Sequence, residues 1–127
     1  MVRGLGARLR PGGRLAIETL TLEPVVARGR TVTDVRVGAV RLEERRAFDA
    51  ARGRLDVTWR LRHGERSELK RYGLRLYGTR ELSDLVEAAG LEVVGLDGDV
   101  EGSPFTVAAD RCILRARRPG PDAERAD

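Results

Sequence analysis

A chain of 127 residues, 41% hydrophobic and 35% charged, can bury one core and little more. Its single cysteine, Cys112, excludes an internal disulfide and leaves a cysteine-based metal cluster unsupported; its single histidine, His63, argues against a zinc site and against any triad that needs a second imidazole. The net charge of +4 raises nucleic acid as a partner, but every basic residue except Lys70 is arginine, and they are scattered among 20 acidic residues rather than gathered in a block.

No apolar run approaches the roughly 20 residues that span a bilayer. The opening MVRGLGARLRPGG has no signal-peptide core. A cytoplasmic protein without a membrane partner is expected.

In chain order, Val2, Leu5 and Leu9 suit the last turns of a helix, and Arg10-Pro11-Gly12-Gly13 is a turn signal, since proline presets φ and glycine permits positive φ. A phosphate-loop reading of the two glycines fails, because a strand follows them where a helix would be needed. That strand, Arg14 to Leu20, is a short and mostly apolar run and reads as buried on both faces, as in a parallel sheet. Thr21 to Thr33 contains Pro24 and Gly29 and reads as a connection with room for a helical turn.

Three alternating segments follow. Val35, Val37, Val40 and Leu42 make the first, with Gly38-Ala39 read as a bulge where the alternation slips. Leu55, Val57, Trp59 and Leu61 alternate without error, and the third runs from about Leu69 to Leu76. Short polar turns between them, one containing His63, predict an antiparallel meander with an apolar face and a charged face of Arg54, Asp56, Arg60 and Arg62.

Arg71 to Gly98 then reads as strand, helix, strand. Thr79 is the expected N-cap, and Glu81 sits in the first turn, where the helix dipole favours a carboxylate. Leu82, Leu85, Val86 and Ala89 form the expected apolar face. Gly90 ends the helix and Leu91 folds back on its last turn. Val93, Val94 and Leu96 return as a strand, a polar loop runs from Gly98 to Pro104, and Arg111 to Arg117 is the last strand. Cys112 and Trp59 read as core residues. Asp97 and Asp99 fit an acid–base pair or a solvated loop equally well.

Leu9-Arg10-Pro11-Gly12-Gly13-Arg14-Leu15 resembles the LxPGGxL turn and fifth strand of class I S-adenosylmethionine-dependent methyltransferases. The run Leu74 to Leu82, with Leu85 and Ala88-Ala89-Gly90-Leu91, resembles that family's R-x-Y-[ST]-x-x-E-L…L-x-x-A-G-F segment, gapped by one place near Gly78 and with Leu91 for the usual Phe. Gly98-Asp99, Gly102-Ser103-Pro104 and Arg111 to Arg118 resemble its closing hairpin, with Asp97 in the Tyr place and Asp110 in the Ser place. No glycine-rich D-x-G-x-G or G-x-G-x-x-G turn follows a strand, although such folds open on one. The chain thus resembles the C-terminal half of such an enzyme without its cofactor half.

The fold class expected is α+β: a mixed, partial Rossmann-like sheet of the strands near 14–20, 91–97 and 111–117, the last antiparallel and central as the resemblance implies. One main helix near 80–89 covers a face, and a three-stranded antiparallel meander is inserted over about 35–77. One domain spans 1–118, with 119–127 a disordered tail. Glu18 and Thr19 end a strand where ligands of α/β sheets collect. The resemblance places Arg75 and Tyr77 near the cleft; a packed Tyr77 with its hydroxyl satisfied is the competing reading. These four are the candidate substrate-binding residues, and no catalytic residue or metal ligand is assigned.

The function implied is the substrate-cleft and lid portion of a methyltransferase acting on a small molecule, inactive alone. S-adenosylmethionine is expected only when a cofactor half completes the chain. The expected partner is that half, or a second copy meeting Leu15, Ala16, Ile17 and Leu20 along the edge or face of the first strand. The alternatives are a non-catalytic module that dimerises or binds a small ligand, and a basic nucleic-acid binder.

Overall fold

The computed structural model describes residues 2–120. In chain order the elements are α1 (Val2–Arg8), β1 (Arg14–Thr19), α2 (Leu22–Arg28), β2 (Thr31–Val37), β3 (Val40–Asp49), β4 (Arg54–His63), β5 (Arg66–Arg75), α3 (Thr79–Ala88), β6 (Glu92–Asp97) and β7 (Cys112–Arg117). They form two compact units: Val25–Leu76, and the chain up to Pro24 together with the chain from Tyr77 onward.

In the Val25–Leu76 unit, period-2 patterning and glycine turns build an antiparallel meander of four strands in the order β2-β3-β4-β5. It has one strand more than expected. Gly38-Ala39 is not a bulge within one strand but a two-residue turn closed by Val37 opposite Val40, with Gly38 at φ +61°. Gly64, at φ +60°, takes the same place between His63 and Arg66. A positive-φ glycine in the first central position matches the right-handed twist of the flanking strands.

Residues directly opposite share a face, so one face of the meander carries Leu42, Phe48, Leu55, Val57, Trp59 and Leu61. Leu55 and Val57 are buried. Trp59 meets Tyr72 edge-on at 5.5 Å, and its indole N–H donates to Glu44 Oε2 at 2.7 Å. A half-buried tryptophan thus keeps its polar atom satisfied.

In the other unit the sheet order is β1-β7-β6, with β7 central as expected. Every ladder is antiparallel, so the sheet is not mixed. β1 is an edge strand in which exposed and half-buried residues alternate, not a strand buried on both faces. Leu15 and Ile17 oppose Ala116 and Leu114, and this face packs on Leu82, Val86 and Leu91 of the α3 segment. The apolar side of β1 is therefore covered, and among the described residues what stays open is its backbone edge. The other face carries ion pairs between Arg115 and Asp97 at 2.7 Å, Arg117 and Glu92 at 3.0 Å, and Arg111 and Glu18 at 2.8 Å. The Arg115 guanidinium lies across Gly95, in space that a side chain there would occupy.

α3 ends as expected. Gly90 has φ +84°, its N–H bonds Glu87 O at 2.9 Å, and Leu91 N–H bonds Val86 O at 3.3 Å, the two bonds of a Schellman motif. Leu91 folds back into the core. The start of α3 differs from expectation: Gly78, not Thr79, is the N-cap and supplies no side chain. The buried face is also rotated, being Leu82, Ser83 and Val86, while Leu85 is 42% exposed. Leu85→Ala should therefore cost less than about 1 kcal/mol in a urea melt, in the range of ordinary surface changes. A loss of 2 kcal/mol or more, about that of a buried leucine, would show that Leu85 faces inward.

Arg118 ties the last strand to the Pro11-Gly12-Gly13 turn. Gly12 N–H donates to its carbonyl at 2.7 Å, its own N–H donates to Gly13 O at 2.8 Å, and its guanidinium donates to Leu9 O. Of the expected tail, Pro119 and Gly120 are half-buried and 121–127 lie outside the described residues. Among the described residues no helix is long and apolar enough to cross a membrane.

Candidate functional site at the rim of the three-stranded sheet

Consecutive strand residues point to opposite faces, and this separates two of the four predicted site residues. Thr19 lies opposite Cys112 on the side that packs on α3, its hydroxyl bonded at 3.3 Å to the carbonyl of Leu20. Glu18 points to the other face and pairs with Arg111 there. Tyr77 is brought close to the chain just beyond Thr19: it forms an isolated parallel bridge with Thr21, and its carbonyl accepts the Leu22 N–H at 3.0 Å. Arg75 ends β5, opposite Arg54, and belongs to the Val25–Leu76 unit. Of the four, Thr19 and Tyr77 share one rim.

That rim holds polar groups the sequence reading passed over. Glu23 reaches across to the start of α3, where its Oε1 accepts the Thr79 N–H at 2.8 Å and the Thr79 hydroxyl at 2.9 Å. It supplies the cap that Gly78 cannot. Burial pushes the Glu23 carboxyl up, but bonds from the Thr79 amide, its own amide and the hydroxyls of Thr79 and Thr21 prevail and hold it below the usual carboxylate range. The helix N-terminus favours the same charge.

Thr21 is 1% exposed. Its hydroxyl is near enough to help hold Glu23 low, yet makes no hydrogen bond of ordinary geometry, and neither does Glu23 Oε2. Among the described residues these are the only buried side-chain nitrogen or oxygen atoms so placed. The Thr21 hydroxyl is itself a donor, and the Glu23 carboxylate is the acceptor it helps to hold low.

Cys112 is fully buried, and burial pushes its thiol up, with the Glu23 and Asp97 carboxylates adding in the same direction. A thiol so placed is a small core residue, not a nucleophile. Asp97 and Asp99 do not form a dyad. Asp97 holds Arg115, while Asp99 Oδ1 accepts the Glu101 and Ser103 amides at 3.0 Å each. The Ser103 bonds, opposed by slight burial and helped by those of Glu101, keep the Asp99 carboxyl low. No group of three or more metal-ligating side chains occurs among the described residues.

Neither a family model nor a curated protein matches the sequence. Solved structures do. The CcbJ methyltransferase of Streptomyces caelestis superposes with a TM-score of 0.76 at 24% identity, over 92% of this chain and 51% of that one. An S-adenosylmethionine-dependent methyltransferase of Clostridium acetobutylicum gives 0.74 at 11% identity, over 94% and 50%. CalS10, an amino pentose methyltransferase of Micromonospora echinaspora, gives 0.66 at 22%, over 92% and 48%. The fold is a partial methyltransferase-like fold. The chain spans about half the length of each of these structures.

S-adenosylmethionine is relevant to such neighbours, CalS10 having been solved with it bound. The residues described here do not fit it. The positive-φ glycines are Gly12, Gly29, Gly38, Gly53, Gly64, Gly90 and Gly102, and none lies between the end of a strand and the start of a helix, where a dinucleotide-type turn must sit. Gly78 is so placed but has φ −68° and serves as a cap.

Proposed function

We propose that this chain is the substrate-side half of an S-adenosylmethionine-dependent methyltransferase, contributing cleft and lid residues and inactive until a cofactor-binding half completes it. The observation that carries the reading is the order β1-β7-β6 with β7 central, joined to α3 and the meander in a fold that covers half of each neighbour. The open edge of β1 is where a parallel strand of the cofactor half would add, since its backbone is unpaired on that side among the described residues.

In this reading Thr19 and Tyr77 stand at the rim that meets a small-molecule substrate. Glu23, its Oε2 buried beside Thr21, lies behind them and holds the start of α3 in place. Glu18 holds Arg111 and so shapes the rim without facing it. The work of these residues is positioning, because a methyl transfer needs its nucleophile held in line. No step through the cofactor is assigned to this chain.

Calorimetric titration with S-adenosylmethionine tests the reading. The chain alone should give no binding in the micromolar range. The same chain produced with the polypeptide encoded directly upstream should bind, and Ile17→Lys on β1 should abolish that gain. A micromolar site on the chain alone would overturn the proposal, as would an upstream frame without a glycine-rich strand–turn–helix.

A further inference from the structure

The chain passes between its two compact units at Pro24–Val25 and again at Leu76–Tyr77. Pro24, Val25 and Leu76 are all buried. Far apart in sequence, the two crossings are tied together inside the unit that holds the three-stranded sheet. There the run Thr21-Leu22-Glu23 meets the run Tyr77-Gly78-Thr79. Thr21 bridges Tyr77 in parallel, and the Leu22 N–H donates to Tyr77 O at 3.0 Å. Glu23 Oε1 accepts the amide and the hydroxyl of Thr79. A Cβ on Gly78 would stand 3.4 Å from that same oxygen, so the carboxylate lies against bare backbone.

A helix cap alone does not need this arrangement. A serine or aspartate at position 78 would cap α3 from its own chain. Gly78 supplies no side chain, and glycine has the widest backbone freedom of any residue. Its φ of −68° is held from outside, by the Leu22 bond before it and the Glu23 bonds after it. The Leu22 bond by itself fixes the Tyr77 carbonyl but leaves the backbone free to turn about it. The Glu23 bonds beyond the glycine remove that turn. Tyr77 is half-buried and packs beside the cluster of Leu82, Val86 and Leu114, so where its backbone is held decides where its ring lies.

We infer that Glu23 is a positioning residue for Tyr77: it joins the two crossings where they leave the sheet unit and so sets the tyrosine side chain at the rim. The inference rests on the reading of that rim as the face that meets substrate.

Nuclear magnetic resonance of the full chain tests it, because the sequence has only two tyrosines, Tyr72 and Tyr77. Isotope-labelled tyrosine rings give a separate signal for each, and Tyr72→Phe assigns them. The native chain should show one sharp Tyr77 signal. In Glu23→Ala that signal should shift and then broaden or split, as the ring samples more than one position, while the Tyr72 signal stays in place. Glu23→Gln keeps an oxygen able to accept both Thr79 bonds, so it should restore the native Tyr77 signal. Gly90→Ala is the control for lost stability. It strains a positive-φ position at the far end of α3 and should leave Tyr77 where it is. Should Glu23→Ala not fold, Thr79→Ala carries the same test: it deletes the hydroxyl's bond alone and should move Tyr77 in the same direction. A Tyr77 signal unmoved by loss of these bonds would overturn the inference, as would one moved as far by Gly90→Ala, or one that Glu23→Gln fails to restore. The readout needs neither S-adenosylmethionine nor a second polypeptide, so it can fail while the titration above succeeds, and the reverse.

Discussion

Leu114→Ala is expected to destabilise the chain by about 3–5 kcal/mol, at the upper end for a buried leucine. Leu114 is fully buried in the middle of the central strand β7, with Ile17 of β1 opposite it on one side and Leu96 of β6 on the other. Leu82 and Val86 of α3 close over it. The cost of such a truncation depends on how far the surroundings collapse into the space left behind. Here the backbone is bonded to neighbours on both sides and cannot move inward, so most of the cavity persists. A small domain has only about 5–15 kcal/mol in total, so the loss should show as a large shift of the urea midpoint. Val94→Ala is the control. Val94 sits at the β6 register shift, 47% exposed, and its replacement should stay within about 0.5 kcal/mol. Equal shifts for the two variants would mean the core is not where Leu114 lies.

What was legible in the sequence follows from the range of the interactions involved. The end of α3 was legible because a Schellman motif is local: Gly90 and Leu91 bond the carbonyls of Glu87 and Val86, three and five residues behind them. Its start was not, because the cap is a carboxylate from 56 residues away. Gly38-Ala39 was misread because a two-residue turn and a bulge shift the alternation Val35, Val37, Val40, Leu42 in the same way; only pairing partners separate them. The apolar run in β1 suggested burial on both faces, but Ala16 is small enough to face outward at little cost.

At the site, the separation of Glu18 from Thr19 needed no coordinates, since strand period alone places them on opposite faces. Thr21, Glu23 and Thr79 were out of reach because they meet through the Thr21–Tyr77 bridge, a contact between distant segments. The order β1-β7-β6 was anticipated through the family resemblance, not through patterning, which cannot tell which strand is central.

Glu23→Ala should cost about 2–3 kcal/mol at neutral pH. It removes a charge-assisted cap and leaves the Thr79 amide and hydroxyl without their acceptor. Glu23→Gln keeps an acceptor and loses the charge, so it should cost less, and its difference from the native chain isolates the charge. That difference has a definite pH dependence. The folded carboxyl is held below its ordinary value of 4.5, so its charge stabilises the fold fully above that pH. The contribution is lost as pH falls through the folded value. Denaturant melts should therefore give a constant gap between native and Glu23→Gln from neutrality down to about pH 5.5, narrowing as the solution is taken below 4.5. Burial alone would act in the opposite direction by raising the carboxyl above 4.5, and the glutamine variant would then be the more stable protein at neutral pH. If Glu23→Gln proves stabilising at pH 7, the bonds from Thr79 do not outweigh desolvation, and Glu23 is not the cap of α3.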